Sequence, residues 1–370
     1  MRILYDDEVF FRQRFGGVSR IFATLIKRLT ALQEHELIFN AGYSENEYLL
    51  QLKPHTFSFL KNYNFPLKGK LIRGIYGKLS HRKTNAILAS QAVDLFHPTF
   101  YANYYINTLK KSTIPLVFTV HDLIHEKTSN NIHYQEMAAI KAQNIKIAKE
   151  IIVVSNHTKK DLLELYPFVK ENHVHVIHLA QSLPTQGVKP AHLPHQYILF
   201  TGERGGYKNF TSLLHAFAQI SKKYPDLHLY CAGSSSFTSA ELELANTLQV
   251  GQKIHQAKLT DEELSYVYKH ALLFVYPSTY EGFGIPLLEA FSAGVPTIAH
   301  HATSLPEVAG DGALLIDATD TNVLAKSINL LMQNDELKQQ LIQKGFSRAA
   351  EFTWEKHVQQ TLEVYKKALL

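Results

Sequence analysis

The feature that most constrains this chain is an alternation of strand-like and helix-like segments, running through nearly its whole length and broken once. RILYDD is a short β-rich run ending in polar residues, and from Val18 to Leu32 apolar residues recur at helical spacing. HELIFNAG, VDLFHPTF, PLVFTVHDL, EIIVVSN and VHVIHLA then read as strands, with helical stretches between several of them, notably Tyr134–Lys149 and Thr158–Tyr166. Apolar strands alternating with helices build parallel sheets covered on both faces. Residues 181–196 interrupt the pattern. They hold Pro184, Pro190 and Pro194, show no helical or alternating period, and read as a linker. Alternation restarts at YILFTGE and continues through DLHLYCAG, KIHQAKL, ALLFVYPS, VPTIAH and GALLID. Three helical stretches, Thr321–Gln333, Glu336–Glu351 and Trp354–Leu370, finish the chain.

The fold class expected is therefore α/β, with two Rossmann-like, doubly wound domains facing each other across a cleft. Residues 1–180 form the first domain, 181–196 the linker and 197–352 the second, leaving 353–370 as a C-terminal helix able to cross back to the first domain. A length of 370 residues suits two domains, and 45% apolar with 19% charged residues excludes a disordered chain. The single cysteine, Cys231, in the apolar run LHLYCAG, excludes an intramolecular disulfide and a cysteine-rich zinc site, and reads as a small core residue. Acids at positions 6 to 8 are unlike a secretory leader, and no stretch approaches the length of a membrane-spanning helix. The expected location is cytoplasmic, in solution or peripheral on the inner membrane face.

Charge is uneven. Residues 1–180 carry 23 basic against 15 acidic side chains, and the remainder 15 against 18. Between Glu47 and Asp94 there is no acid but eight bases: Lys53, Lys61, Lys68, Lys70, Arg73, Lys78, Arg82 and Lys83. Either these form a solvated face or they attract an anionic membrane or acceptor. Leu67, Leu71, Ile72, Ile75, Tyr76 and Leu79 lie among them at roughly helical spacing, although Gly69, Gly74 and Gly77 weaken a long helix and leave a folded loop as the alternative. Neither zinc-finger spacing nor an RNA-binding aromatic signature accompanies them, so nucleic acid is not an expected partner.

In a doubly wound sheet, ligands bind beyond the carboxyl ends of the strands. Four motifs sit there. In STYEGFGIPLLEAFSAGVP, Glu281 lies just past a buried strand, Gly282 and Gly284 let backbone approach a ligand, Pro286 suits a first helical turn, and Glu289 lies one turn on. Two carboxylates so spaced are good acceptors for sugar and ribose hydroxyls. In FTGERGGYKNF, Arg204 and Lys208 stand between a strand end and a helix start, the makings of a diphosphate site. This is not the G-x-G-x-x-G fingerprint of a dehydrogenase. In RQRFGGVSR, Gly16 and Gly17 precede a helix, as either a tight turn or a point of close approach to phosphate or sugar. In FTVHDLIHEK, His121 follows a strand, and Asp122 can orient its ring or cap the next segment. Among the 20 histidines, His121/His125 and His300/His301 lack a third ligand by sequence, and no Asp-x-Asp metal–diphosphate signature stands on a suitable loop, so no metal and no cofactor are expected.

The segment from Glu281 to Glu289, extended through Gly294, Pro296, Ser304, Leu305, Pro306, Glu307 and Gly310, resembles the paired-glutamate motif of the retaining family-4 glycosyltransferases, which have the GT-B fold. That resemblance implies a nucleotide diphosphate sugar as donor. It places Glu281 by the donor sugar and Glu289 on the ribose hydroxyls. The backbone of Gly282, Phe283, Gly284 and Ile285 would lie along the donor, with Arg204 and Lys208 on the diphosphate. Gly16 and Gly17 resemble the family's N-terminal glycine loop, and His121 its sugar-facing histidine; catalysis would fall to Glu281, His121, Arg204 and Lys208. Where the family carries a glycine near the base, this chain has Ala257 and Lys258, with His255 in place of an aromatic. The GGVSR loop and SLPEVAGDGA look most like bacterial mannosyltransferases. The function this implies is transfer of a hexose, mannose from GDP-mannose as first choice and a UDP-hexose as alternative, with retention, to a glycan or lipid-linked glycan. A non-catalytic sugar-nucleotide-binding protein and a sugar-nucleotide epimerase are the rivals.

Overall fold

The computed structural model describes residues 1–40, 44–52, 70–128, 132–233 and 235–370. The chain divides into two compact units, Met1–Leu179 with Trp354–Leu370, and Ala180–Thr353.

In the first unit, β1 (Arg2–Tyr5), β2 (Glu36–Phe39) and β3 (Leu95–Phe96) form a parallel sheet in the order β2-β1-β3. A second parallel sheet has the order β4-β5-β6, from β4 (Val117–Val120), β5 (Glu150–Val153) and β6 (Val174–Val176). A parallel bridge between Phe96 and Leu116 joins the two at β3 and the start of β4. The strands are short and apolar because both faces are covered: Leu4, Phe96, Phe118, Val120, Ile151 and Val153 share one core with Tyr105 and Leu162 from the helices.

The helix Trp354–Ala368 completes this unit. Its anchor is polar. The hydroxyls of Tyr5 and Tyr365 share a hydrogen bond, the Tyr365 hydroxyl lies 2.6 Å from His97 Nδ1, and His97 Nε2 lies 2.8 Å from Thr119 Oγ1. His357 adds a 2.9 Å hydrogen bond to the carbonyl of His178. A buried network with every member partnered fixes one arrangement, since any slip leaves a polar group stranded.

Gly69 lies outside the described residues, but Gly74 and Gly77 do not break the part that follows: residues Lys70–Ala89 are one helix passing through both. Packing supplies the reason. A Cβ on Gly77 would sit 3.3 Å from the Phe11 ring, so the missing side chain lets the helix approach. Ser80, Thr84 and Leu88 form its buried stripe, where the Asn40 side chain donates to the Ser80 carbonyl and to Thr84 Oγ1. Ile75 and Leu79 are each about half exposed, on a surface shared with exposed Lys78, Arg82 and Lys83. Lys53, Lys61, Lys68 and Leu67 lie outside the described residues, as do the side chains of Lys70, Leu71, Ile72 and Arg73.

The second unit is one six-stranded parallel sheet, order β12-β11-β10-β7-β8-β9. Its strands are β7 (Tyr197–Thr201), β8 (His228–Ala232), β9 (Ile254–Ala257), β10 (Leu273–Tyr276), β11 (Thr297–His300) and β12 (Leu314–Ile316). The chain winds outward through β8 and β9, then returns to the other side of β7, so strand order reverses between β7 and β10. Ile198, Phe200, Leu213, Phe217, Cys231, Val275 and Ile298 are all fully buried in its core. The proline-rich stretch belongs to this unit. The Pro184 carbonyl accepts from Ser265 Oγ at 2.6 Å, and the Val188 N–H donates to the Glu262 carbonyl at 3.1 Å.

His97, His121 and His357 of the first unit are buried neutral. Burial pulls His97 down to about 3, and His121 and His357 each to about 4. Unfolded, each would take up a proton near pH 6.5. Burial pushes the Asp6 carboxyl the other way, to about 7, with the Glu8 charge adding to it. Between pH 6.5 and 4 the unfolded chain therefore binds more protons through the three histidines and the folded chain one more through Asp6. The histidines prevail, and stability falls with acidification, on the order of 2 kcal/mol per pH unit from these four groups. Urea titrations between pH 7 and 4.5 should show stability falling with acid, and His97→Gln should make the fall shallower.

Candidate active site

At the junction of β7 and β10, two loops emerge side by side and are stitched together by their backbones. Just past the end of β7 stands Gly202, whose φ of +103° is a conformation that favours glycine. The chain then passes Arg204, turns through Gly206–Lys208 and starts the helix Phe210–Ile220 from Asn209, itself left-handed at φ +53°. The Asn209 side chain explains that strain: it donates to the carbonyls of Pro277 and Ala318, at 3.3 and 2.9 Å. The Tyr207 carbonyl accepts from the N–H of Thr279 at 2.7 Å and from its hydroxyl at 3.1 Å.

This stitching sets Lys208 opposite Glu281, with Nζ 2.6 Å from Oε1 and both side chains only 13% exposed. The Glu281 loop is also held from the far side. Its N–H donates to Thr303 Oγ1 at 3.1 Å, and the Ser304 hydroxyl donates to the carbonyls of Glu281 and Phe283 at 2.9 and 3.0 Å. Gly282 and Phe283 are buried, and Phe283 packs edge-on to Phe352. Gly284, at φ +104°, turns the loop into the helix Ile285–Ser292, with Pro286 in its first turn. Glu289 lies one turn further, buried, accepting a 3.0 Å hydrogen bond from the Tyr268 hydroxyl, which also lies 3.2 Å from Thr201 Oγ1. A cavity of about 230 Å³, walled by Gln181, Pro184, Ser265, Lys269 and Phe346 among others, opens beside Glu289.

Arg204 is buried and faces the amino end of the helix Ser239–Thr247. Its Nε donates to Glu241 Oε1 at 3.0 Å, its Nη2 to the carbonyls of Ser235 and Ser236, and its guanidinium lies 4.6 Å from the centre of the Phe237 ring. The structure thus joins Lys208 directly to Glu281, while Arg204 and Glu289 are paired with Glu241 and Tyr268. Two cations held in a mostly dry site at strand ends can stabilise a diphosphate, and carboxylates beside them can accept from hydroxyls. Among the described residues, no three His, Cys, Asp or Glu side chains are grouped to hold a metal ion.

The remaining candidates lie in the first unit. Gly17 opens the helix Gly17–Leu32, and Gly16 precedes it. A Cβ on Gly16 would meet Gln13 Oε1 at 2.2 Å, because the Gln13 side chain lies there and accepts from the Ser19 N–H. His121 follows β4 and is buried. Its N–H donates to the Tyr101 hydroxyl at 3.0 Å, and its Nδ1 has no partner among the described residues. Burial keeps this ring neutral at pH 7. Behind it the fully buried Lys141 donates to the Asp122 carbonyl and to Glu126. Where strand order reverses in the first unit, Asp6 accepts from the Thr99 N–H and hydroxyl and from the Tyr104 hydroxyl, each at 2.8 Å. Glu8 beside it pairs with Arg12 and with His81, which stacks on Tyr104 at 3.7 Å.

Residues 186–348 match the family model described as Glycosyl transferases group 1, and residues 15–180 match Glycosyltransferase Family 4. The chain belongs to the family-4 glycosyltransferases. This glycosyltransferase is 28% identical to O-antigen chain mannosyltransferase B of Escherichia coli, over 99% of this chain and all of that one. It is 27% identical to the serotype-specific mannosyltransferase WbdA of Escherichia coli, over 64% of this chain but only 29% of WbdA. Among solved structures, sucrose-phosphate synthase from Thermosynechococcus elongatus superimposes with a TM-score of 0.75 at 18% identity, covering 99% of this chain and 98% of that one. HepE from Anabaena, solved with UDP and glucose, gives 0.74 at 16%, covering 99% of both chains. The fold of the glycosyltransferase is GT-B.

Four features of these sites are not evident from the sequence motifs: Glu241 on Arg204, Tyr268 on Glu289, Thr303 on the Glu281 loop, and the Asp6–Glu8–His81 cluster. Thr238-x-x-Glu241 has the form of a capping box, but nothing in that spacing points to Arg204.

Gly284→Ala should cost roughly 1–3 kcal/mol, since the backbone there favours glycine and a Cβ would lie 2.8 Å from Leu305 Cδ2. Gly205→Ala, with φ of −80° and nothing within 4 Å of the new Cβ, should leave the urea midpoint unchanged.

Proposed function

We propose that this glycosyltransferase moves a hexose, mannose from GDP-mannose, to a glycan or lipid-linked glycan with retention at the anomeric carbon. The observation that carries the reading is the Lys208–Glu281 pair, a cation and a carboxylate set at the point where the sheet's strand order reverses. The full-length similarity to a mannosyltransferase supports the sugar. A UDP-hexose is the second reading, favoured by the likeness to HepE, whose structures hold UDP and UDP-glucose.

In this reading the donor's diphosphate takes the ammonium of Lys208 and a free nitrogen of Arg204. Glu281, released from Lys208, accepts from hydroxyls of the sugar, and Glu289 from those of the ribose. The acceptor hydroxyl bonds to the anomeric carbon as the bond to the diphosphate oxygen breaks. The leaving diphosphate carries away the electron pair and takes the acceptor's proton. No protein nucleophile is required. Positioning and charge stabilisation of the leaving group are the protein's contribution. His121, neutral by burial, meets the sugar, and Gly16 and Gly17 form the glycine loop towards the donor; no metal or cofactor enters.

Arg204→Ala and Lys208→Ala should each weaken GDP by roughly 1.5–3 kcal/mol and leave guanosine unaffected. Glu289→Gln should weaken both ligands, whereas Glu281→Gln should chiefly slow single-turnover transfer. Release of GDP from GDP-mannose and of UDP from UDP-hexoses, with and without mixed glycan acceptors, tests the donor. Release stimulated by acceptor only with a UDP-sugar would replace the mannose reading, and acceptor-independent release of UDP would point to an epimerase.

The basic face is read as a dock on the cytoplasmic, anionic membrane surface, bringing the enzyme to a lipid-linked acceptor. Outward Ile75 and Leu79 beside Lys78, Arg82 and Lys83 support it. Among the described residues, no helix is long and apolar enough to cross a membrane. Sedimentation with phosphatidylglycerol vesicles at low salt should pull the enzyme down, and phosphatidylcholine or high salt should not. Reversing the charge of Lys78, Arg82 and Lys83 should abolish that binding without changing GDP affinity. Equal recovery with both lipids would rule the dock out.

A further inference from the structure

Arg204 differs from Lys208 in how it is held. Its side chain is 3% exposed, and two of its three nitrogens are engaged on one side. Nε donates to Glu241 Oε1 at 3.0 Å, and Nη2 donates to the carbonyls of Ser235 and Ser236 at 2.9 and 2.7 Å, with Glu241 Oε2 at 3.5 Å. The third, Nη1, is buried and has no hydrogen-bond partner among the described residues. It lies beside backbone that only glycine leaves open. A Cβ built on Gly233, just past the end of β8, would lie 4.0 Å from Nη1 and 2.5 Å from the carbonyl oxygen of Gly202, just past the end of β7.

Glu241 has a second task in the same position. It is the third residue of the helix Ser239–Thr247 and closes a capping box, with Oε2 accepting from the Thr238 N–H at 2.6 Å and Thr238 Oγ1 accepting from the Glu241 N–H at 3.2 Å. A carboxylate tied to a helix end cannot easily follow a moving guanidinium. It fixes the plane of Arg204 and the nitrogen left over.

We propose that Glu241 is a positioning residue for the diphosphate: it clamps Arg204 by Nε and Nη2, so that Nη1 alone is presented to the leaving group across the Gly202–Gly233 backbone. This rests on the reading of Arg204 as a diphosphate ligand. The clamp also neutralises one of the two cations, leaving Lys208 as the one whose own partner, Glu281, has other work to do. Orientation is the gain, because a planar guanidinium presents its donors in fixed directions.

The test uses the full chain and isothermal titration with whichever of GDP and UDP the wild type binds more tightly, and with the matching nucleoside. Glu241→Ala should weaken the diphosphate about tenfold, the scale of one charge-assisted hydrogen bond, and leave the nucleoside unchanged. Glu241→Gln keeps one acceptor oxygen for Nε but puts an amide NH2 where Oε2 met the Thr238 N–H, so it should restore only part of that affinity. Thr238→Ala, which removes the Oγ1 half of the cap and leaves the clamp, should bind as wild type. Arg204→Ala/Glu241→Ala should be no weaker than Arg204→Ala alone, because Glu241 acts through Arg204. Wild-type affinity in Glu241→Ala, or a further tenfold drop in the double variant, would overturn the proposal. If Arg204→Ala itself weakened nucleoside and diphosphate alike, it would be the diphosphate reading that failed.

Discussion

Adjacency of β7 and β10 is the constraint on which the second unit's chemistry depends. Thr201, the last residue of β7, and Leu273, the first of β10, are 72 residues apart in the chain. The two strands are nevertheless hydrogen-bonded neighbours, because the chain winds out to β9 before returning to the other side of β7. Loops leaving two such strands run alongside each other over the strand ends. Lys208 and Glu281 meet for that reason. Asn209 and Tyr207 then lock the contact by bonding across the gap to residues after β10. The loop after β11 adds the outer support through Thr303 and Ser304, so the Glu281 loop is gripped from both sides.

The first unit obeys the same topology with different chemistry. Its strand order reverses between β1 and β3, and there the residues just past the two strand ends, Asp6 and Thr99, bond to each other. What would otherwise be an open end is filled by carboxylates and their partners. Burial opposes ionisation of Glu8, but the bonds from His81 and Arg12 prevail and hold its carboxyl below the ordinary range, while Asp6, buried beside that charge, is pushed up. Glu8 is charged because of its partners, and Asp6 is pushed towards its neutral form by burial first and by that neighbouring charge second. The same unit closes on its last helix through the Tyr5–Tyr365–His97–Thr119 chain. This network joins β1, the end of β3, β4 and the C-terminal helix, so four elements share one set of hydrogen bonds.

Local signals carried much of this into the sequence. The strands after position 197 are apolar runs bounded by polar or glycine residues, and Thr260 and Glu263, three residues apart, close a capping box. The Glu281–Glu289 motif is legible because every residue in it answers to a nearby backbone demand: a left-handed glycine, a proline in a first turn, a carboxylate one turn on. Illegible were the contacts whose partners are distant in sequence. Tyr5 and Tyr365 are 360 residues apart, and Arg204 and Glu241 are 37 apart, with no periodicity linking them. Gly16 illustrates a subtler limit. A glycine before a helix is compatible with an approaching ligand or with the chain's own side chain, and here Gln13 lies in that space. Gly77 misleads in the other direction. Propensity counts it against a helix, but its contact with Phe11 is a tertiary reason for a glycine inside one.

The Arg204–Glu241 and Lys208–Glu281 ion pairs differ in a way that bears on how such a site stays folded. A nearly buried guanidinium or ammonium without a counter-charge would be strongly destabilising, so both cations need a carboxylate. Glu241 is fastened by the capping box, with a helix of nine residues behind it, and removing it from Arg204 would break the cap as well. Glu281 is fastened by its main chain: the bonds from Thr303 and Ser304 grip the backbone of its loop, while its carboxylate faces Lys208. An incoming diphosphate can therefore replace Glu281 on Lys208 without unfolding anything, because one anion takes the place of another and the loop backbone is held independently. In the proposed reading, the same exchange would hand a carboxylate to the sugar as its diphosphate binds. Placing the rigid clamp on the arginine and the exchangeable partner on the lysine matches the two side chains. A planar fork gains from being fixed, whereas a point charge on a flexible stem loses little by changing partners.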